Sequence, residues 1–156
     1  MKSGRRALLA LLLGLSCAWP DTSVPIGDLL DAPTSLAVSG RTLLLFADMS
    51  RDFMPGANPP EGSDLGLYVQ VWSADSLPVL LEADRAWVIR RSSRQAWETE
   101  LWRINDWNPC GFVRGSAGGG PKWETGIRCD VVVRLRDTAC NTWLLRAPDV
   151  EIVMTL

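Results

Sequence analysis

The chain of 156 residues contains no histidine. That absence excludes a Ser-His-Asp triad and any zinc site that needs imidazole, and it leaves a nucleophilic cysteine without its usual base. There is no G-x-S-x-G elbow and no C-x-x-C pair. Gly115-Ser-Ala-Gly-Gly-Gly-Pro-Lys122 fails as a phosphate loop, because Pro121 separates the last glycine from Lys122 and Trp123 stands where Ser or Thr would follow. Lysine occurs only at Lys2 and Lys122, so arginine carries nearly all the positive charge. No Asn-x-Ser/Thr sequence occurs, which excludes N-linked sugar. Outside the first eighteen residues no run approaches the roughly 20 apolar residues that a membrane-spanning helix requires. The chain is therefore expected to be no enzyme and to carry no metal and no cofactor. A hydrolase using Glu98 and Glu100 as a carboxylate pair ranks well below a solvated face for those two residues.

What is present begins with an export signal. Lys2, Arg5 and Arg6 precede an apolar run from Ala7 to Leu15, with small residues Ser16 and Ala18 after it. This pattern predicts a signal peptide over 1–18, cut after Ala18, and a secreted, extracellular mature chain. Lipidation at Cys17 is disfavoured by Gly14, where leucine would be expected. The ending Val-Met-Thr-Leu supplies no hydrophobic tail for a lipid-linked C-terminus. The signal holds three basic and no acidic residues, so its removal moves the formal net charge from -2 to -5. A mildly acidic protein is poorly suited to nucleic acid, whose binding rests on clustered positive charge. Asp48, Asp52, Glu61 and Asp64 would suit a basic partner.

The mature length fits one domain. Residues 19–35, rich in Pro, Asp and Gly, read as an extended N-terminal arm, and 36–156 as the folded domain. Within it, Leu36–Ala47 reads as a buried strand and Asp48–Asp64, with Pro55, Pro59, Pro60, Gly56 and Gly62, as a long loop. Leu65–Trp72 alternates as a half-buried strand. Pro78–Ala83 and Ala86–Arg91 read as two strands about a turn at Asp84-Arg85, and Gln95–Ile104 as a strand in preference to a helix. Asn105–Lys122, with Asn108-Pro109 and the glycine run, reads as a second long loop. In Ile127–Leu135 the odd positions are expected to face inward and Arg128, Asp130, Arg134 and Arg136 outward, with a closing strand at Val150–Met154. Six to eight short strands predict an all-β fold, a single antiparallel β-sandwich with two long loops.

Three cysteines remain after cleavage, Cys110, Cys129 and Cys140. An odd number predicts one bridge and one spare thiol, or a disulfide-linked dimer through that spare cysteine. A hairpin turn at 137–139 makes Cys129–Cys140 awkward, since the two Cα atoms must come within about 7 Å. Cys110–Cys129 and Cys110–Cys140 are the preferred pairings. The compositional anomaly is eight tryptophans. Trp87, Trp97, Trp102 and Trp107 interleave with Arg85, Arg90, Arg91, Arg94 and Arg103, residue types that stack on one another and dominate binding hot spots. Two readings stand: an intramolecular Arg-Trp ladder, or a partner-facing patch built on Arg90, Arg91, Arg94 and Trp97. The same arginines could also meet a sulfated glycan.

Cys129-Asp-Val-Val-Val-Arg-Leu-Arg-Asp-Thr-Ala-Cys140, followed by Trp143-Leu-Leu and an alternating final strand, resembles the C-terminal end of the secreted poxvirus immune-evasion family. Its members carry a cysteine, a strand ending Val-Arg-Ile/Leu-x-Asp, a second cysteine and a closing strand; Val133, Arg134, Leu135, Asp137 and Cys140 stand at those positions here. The resemblance implies a β-sandwich and a decoy that captures chemokines or other cytokines, or retains class I histocompatibility molecules. It carries over no ligand-contacting residue. The expected function is capture of an extracellular protein ligand (a cytokine, chemokine or immune receptor), with a structural or adhesion module of a cell surface or matrix as the alternative.

Overall fold

The computed structural model describes residues 23–74, 81–104 and 112–156. The expected signal peptide, Cys17, Trp107 and Cys110 lie outside the described residues. Among the described residues a five-residue helix α1 (Ile26–Leu30) precedes nine strands: β1 (Ser35–Val38), β2 (Arg41–Asp52), β3 (Leu65–Trp72), β4 (Glu82–Arg90), β5 (Gln95–Glu100), β6 (Trp102–Arg103), β7 (Val113–Gly120), β8 (Arg128–Arg136) and β9 (Thr142–Thr155). No described helix is long and apolar enough to cross a membrane.

The chain is all-β, as expected, but the strands form one continuous path, β5-β4-β8-β9-β2-β3-β7-β6, with β1 added beside β2. The two ends of this path are halves of a single run: β5 pairs with β4, β6 pairs with β7, and only Leu101 separates β5 from β6. The sheet is thus nearly closed into a barrel. On the far side β9 performs the same service. From Thr142 to Glu151 it pairs with β8, with Asp149 at a φ of 58° beside a register shift, and Ile152–Thr155 then run parallel to Met49–Asp52 of β2. That parallel pair corrects the expectation of a wholly antiparallel sheet.

Alternation fills the interior. Leu43, Met49, Leu65, Val69, Val71, Val88, Val131, Val133, Leu135, Leu145 and Ile152 are fully buried, each stabilising by roughly 1.5–3 kcal/mol relative to exposure. At the end of the barrel reached by the C-terminus of β2, Arg51 continues the inward set. It donates from Nε to the Ser63 carbonyl (2.9 Å), from Nη1 to that of Trp123 (2.9 Å) and from Nη2 to that of Glu61, while its guanidinium lies 5.0 Å from the Phe53 ring centroid.

Several expected boundaries move, each for a physical reason. The run Leu36–Ala47 is a hairpin, because Ser39 (φ 51°) and Gly40 (φ 74°) form a two-residue left-handed turn between Val38 and Arg41. The first long loop shortens to 53–64, since β2 runs on to Asp52. Asp84-Arg85 is a bulge inside one strand, β4, and the Asp84 carbonyl accepts from the Leu101 N–H (3.0 Å). The second long loop contains β7. Its glycines answer to packing: a Cβ on Gly120 would stand 2.8 Å from the Trp97 ring, and one on Gly115 3.2 Å from the Leu101 Cβ.

The arm is not simply extended. Leu29 and Ala32 are buried against Trp87, Ile89 and Val132, on the outer surface of β4 and β8. Arg146 fastens it, donating from its backbone N–H to the Pro33 carbonyl (2.8 Å) and from Nε to that of Ala32 (3.0 Å). β8 is therefore covered on both sides, and Asp130 and Arg134, expected to face solvent, are buried.

Candidate binding surfaces

The outer surface of the barrel divides into two walls of different chemistry. The wall formed by β5, β4, β8 and the part of β9 paired with β8 is neutralised by ion pairs and in part covered by the arm. Arg134 holds Asp84 through two bonds (2.8 and 2.7 Å), Arg136 pairs with Glu82, and Arg85 reaches Glu98 (2.7 Å) and Glu100 (3.9 Å). Glu98 and Glu100 therefore serve a cross-strand ion-pair lattice on an open face.

Asp130 is the centre of this wall, only 2% exposed. It accepts from Arg91 (3.0 and 2.6 Å), from Arg146 (2.8 Å) and from the Asp149 backbone N–H (3.2 Å). Burial pushes its carboxyl upward, but the bonds from Arg91, Arg146 and Asp149 outweigh burial and hold it below its ordinary value.

The four residues expected to form one patch are divided among different surroundings. Trp97 packs against the core and fills the space left by Gly120. Arg90, two residues beyond the core residue Val88, has its Nε buried without a hydrogen-bond partner, and its charge acts on the Cys129 thiol. Arg91 is committed to Asp130. Arg94, at a φ of 53° in the β4–β5 turn, shares with Arg91, Leu30 and Asp31 an open depression of about 520 Å³. The structure thus brings Arg91 and Arg94 together and turns Trp97 away from them. The guanidinium stacks among the described residues lie on phenylalanine, Arg51 over Phe53 and Arg114 over Phe112 (5.5 Å).

The cysteines are likewise sorted. Cys140 is disulfide-bonded, with its partner outside the described residues. Cys129 is a free thiol, 1% exposed, which burial pushes up to about 11. The pairing Cys110–Cys129 is thereby excluded, and an intermolecular link through Cys129 would require the core to open.

The second wall, formed by β2, β3, β7 and β6, was not legible as a site in the sequence. Cross-strand register sets its outward side chains in rows: Leu44 with Trp72; Phe46, Gln70 and Arg114; Asp48, Tyr68 and Ser116, with Trp102 beyond Ser116. Trp102 is 68% exposed, Phe46 54% and Trp72 37%. The Gln70 side-chain oxygen accepts from the Tyr68 hydroxyl (3.1 Å) and from Arg114 Nε (3.3 Å), which fixes the middle of the wall. At its margin Phe46 and Trp72 border a groove of about 370 Å³ between β2 and β9, where Ala47, Ala147, Pro148 and Val150 also line the wall. No described segment covers these aromatics. The signal was in the alternation of β3: once Leu65, Leu67, Val69 and Val71 face inward, Tyr68, Gln70 and Trp72 must face out. Among the described residues no cluster of carboxylates or cysteines could hold a metal ion.

Compared with protein-family models, with curated proteins and with solved structures, the chain has no significant match.

Proposed function

We propose that this chain is a secreted, non-enzymatic binding protein that captures an extracellular protein ligand, and that the aromatic wall of β2, β3, β7 and β6 is its contact surface. The observation that carries this reading is the contrast between the walls. One is in part covered by the arm and neutralised by ion pairs; the other exposes Trp102, Phe46 and Trp72 around a braced Tyr68-Gln70-Arg114 centre. Exposed large aromatics beside arginine are the side chains most enriched where binding energy concentrates. The resemblance of Cys129–Cys140 to the secreted poxvirus family narrows the ligand class to a host cytokine, chemokine or immune receptor, and the chain acts as a viral decoy.

The test is capture from a panel of cytokines, chemokines and immune-receptor ectodomains. Phe46→Ala combined with Trp102→Ala should weaken a captured ligand by about a thousandfold, since hot-spot side chains are worth about 2 kcal/mol or more each. Arg91→Ala combined with Arg94→Ala should leave capture within about twofold. Loss confined to the arginine variant would reject the wall as the contact surface. Retention on matrix proteins, with no ligand captured, would favour the adhesion module.

A further inference from the structure

The turn between β4 and β5 concentrates basic charge. Arg91-Ser-Ser-Arg94 is the only place in the chain where two arginines stand three apart, and Arg90-Arg91 is the only adjacent basic pair after Arg5-Arg6. Both fall in this one turn. Residues 91–96 are exposed without a break, and Trp97 is the first residue of β5 that packs against the core. Two long backbone bonds close the turn, from the Ser93 N–H to the Arg90 carbonyl (3.3 Å) and from the Arg94 N–H to the Arg91 carbonyl (3.4 Å). The Ser93 hydroxyl adds a bond to the Gln95 side-chain oxygen (3.1 Å). Arg94 sits at a φ of 53°, a conformation that residues other than glycine rarely adopt. Opening residues 91–96 breaks these bonds, the Arg91–Asp130 pair and the last two rungs of the β4–β5 ladder, but it moves no core side chain. Asp130 then still keeps Arg146 (2.8 Å) and the Asp149 N–H (3.2 Å). Small openings at exposed loop tips are where proteases reach a folded chain.

We propose that this turn is a proteolytic processing site, cut between Arg94 and Gln95 by a protease whose acid-lined pockets take Arg94 before the cut and Arg91 three positions earlier. The proposal rests on the reading of the chain as secreted, which brings the turn to processing proteases of the export route. A guanidinium is always charged and offers a carboxylate two parallel N–H donors, so two of them at fixed spacing make a specific signal. The exposed stretch 91–96 is the length such a protease draws out, from Arg91 through the two residues after the cut. Water adds across the carbonyl–nitrogen bond, which breaks to leave a carboxylate on Arg94 and an ammonium on Gln95. One fragment then carries β1 to β4 and the other β5 to β9. Pairing of β2 with β9, β3 with β7 and β4 with both β5 and β8 keeps them in one body. The aromatic wall retains its rows, and β5 gains a free end.

The mature chain is incubated with a subtilisin-like convertase that requires arginine at both positions, and the products are read by intact mass and N-terminal sequencing. A fragment beginning at Gln95 should appear and should part from the rest only under unfolding, reducing conditions. Arg94→Gln should slow cleavage by about a hundredfold or more, because the pocket's carboxylates are left unpaired. Arg91→Lys should slow it by about tenfold, because an ammonium lacks the two-pronged donor. Lysine keeps a cation for Asp130 and Arg94 is exposed, so circular dichroism should show both variants folded. Ligand capture is measured separately on uncut chain, so a turn that resists the protease leaves the assignment of the aromatic wall to its own test. A folded chain left intact while a peptide of residues 88–98 is cut would overturn the proposal, as would an Arg91→Lys variant cut as fast as wild type.

Discussion

Arg51 is a guanidinium that the end of the barrel encloses, 5% exposed, with three backbone carbonyls as its partners. Those carbonyls belong to Glu61, Ser63 and Trp123, so one side chain ties the loop 53–64 and the segment before β8 to β2. Arg51→Met should cost about 2–4 kcal/mol in urea unfolding, because it leaves buried acceptors without a donor. Arg51→Lys should recover only part of that, since a point donor cannot span three acceptors; a lysine variant as stable as wild type would contradict this role. Asp130 gives a pH prediction. Its folded-state value lies below the ordinary 3.8, so the unfolded chain binds the proton more readily. The stability that the carboxylate contributes is therefore present above about pH 4 and is lost as pH falls through the folded-state value. Asp130→Asn should remove that part of the acid dependence, and parallel acid unfolding curves for variant and wild type would refute it. Neither residue was legible. Asp130 and Arg134 read as solvent-facing side chains of a strand and Arg51 fell in a stretch read as a long loop, and only their tertiary partners reverse those readings.

At the scale of elements, β3 and β8 were legible because period-2 alternation is strong where one face meets a core, and β5 was legible as a strand despite its helical spacing. β7 was not. Its sequence, Val-Arg-Gly-Ser-Ala-Gly-Gly-Gly, has the composition of a loop, yet Gly115 and Gly120 leave room for Leu101 and Trp97 as the barrel closes. The hairpin at Ser39-Gly40 was hidden by apolar residues on both sides of it. The helix within the arm was missed because five helical residues carry too little periodicity to register. Leu29 is its anchor. Leu29→Ala should lower stability by about 2–4 kcal/mol and open residues 23–34 to limited proteolysis. Unchanged stability and unchanged cleavage would mean that the arm adds nothing to the fold. A related check concerns Cys129, which should resist thiol reagents in the native chain and react on unfolding; rapid native labelling would contradict its burial. Non-reducing peptide mapping should recover Cys110 linked to Cys140.

For the whole molecule, all-β class followed from the sequence, whereas near-closure did not. Closure depends on two strands that each change partners partway, β9 between Glu151 and Ile152 and the β5–β6 run at Leu101, and a change of partner leaves no periodic mark. Closure also decides what is left for binding, because it places the ion-paired wall and the arm on one side and the uncovered aromatics on the other. The most direct measurement is hydroxyl-radical footprinting of the chain free and bound to a captured ligand. Oxidation of Trp102, Phe46 and Trp72 should fall several-fold on binding, while Leu30 on the covered wall stays unchanged. Protection of Leu30 with no change at Trp102 and Phe46 would contradict the account.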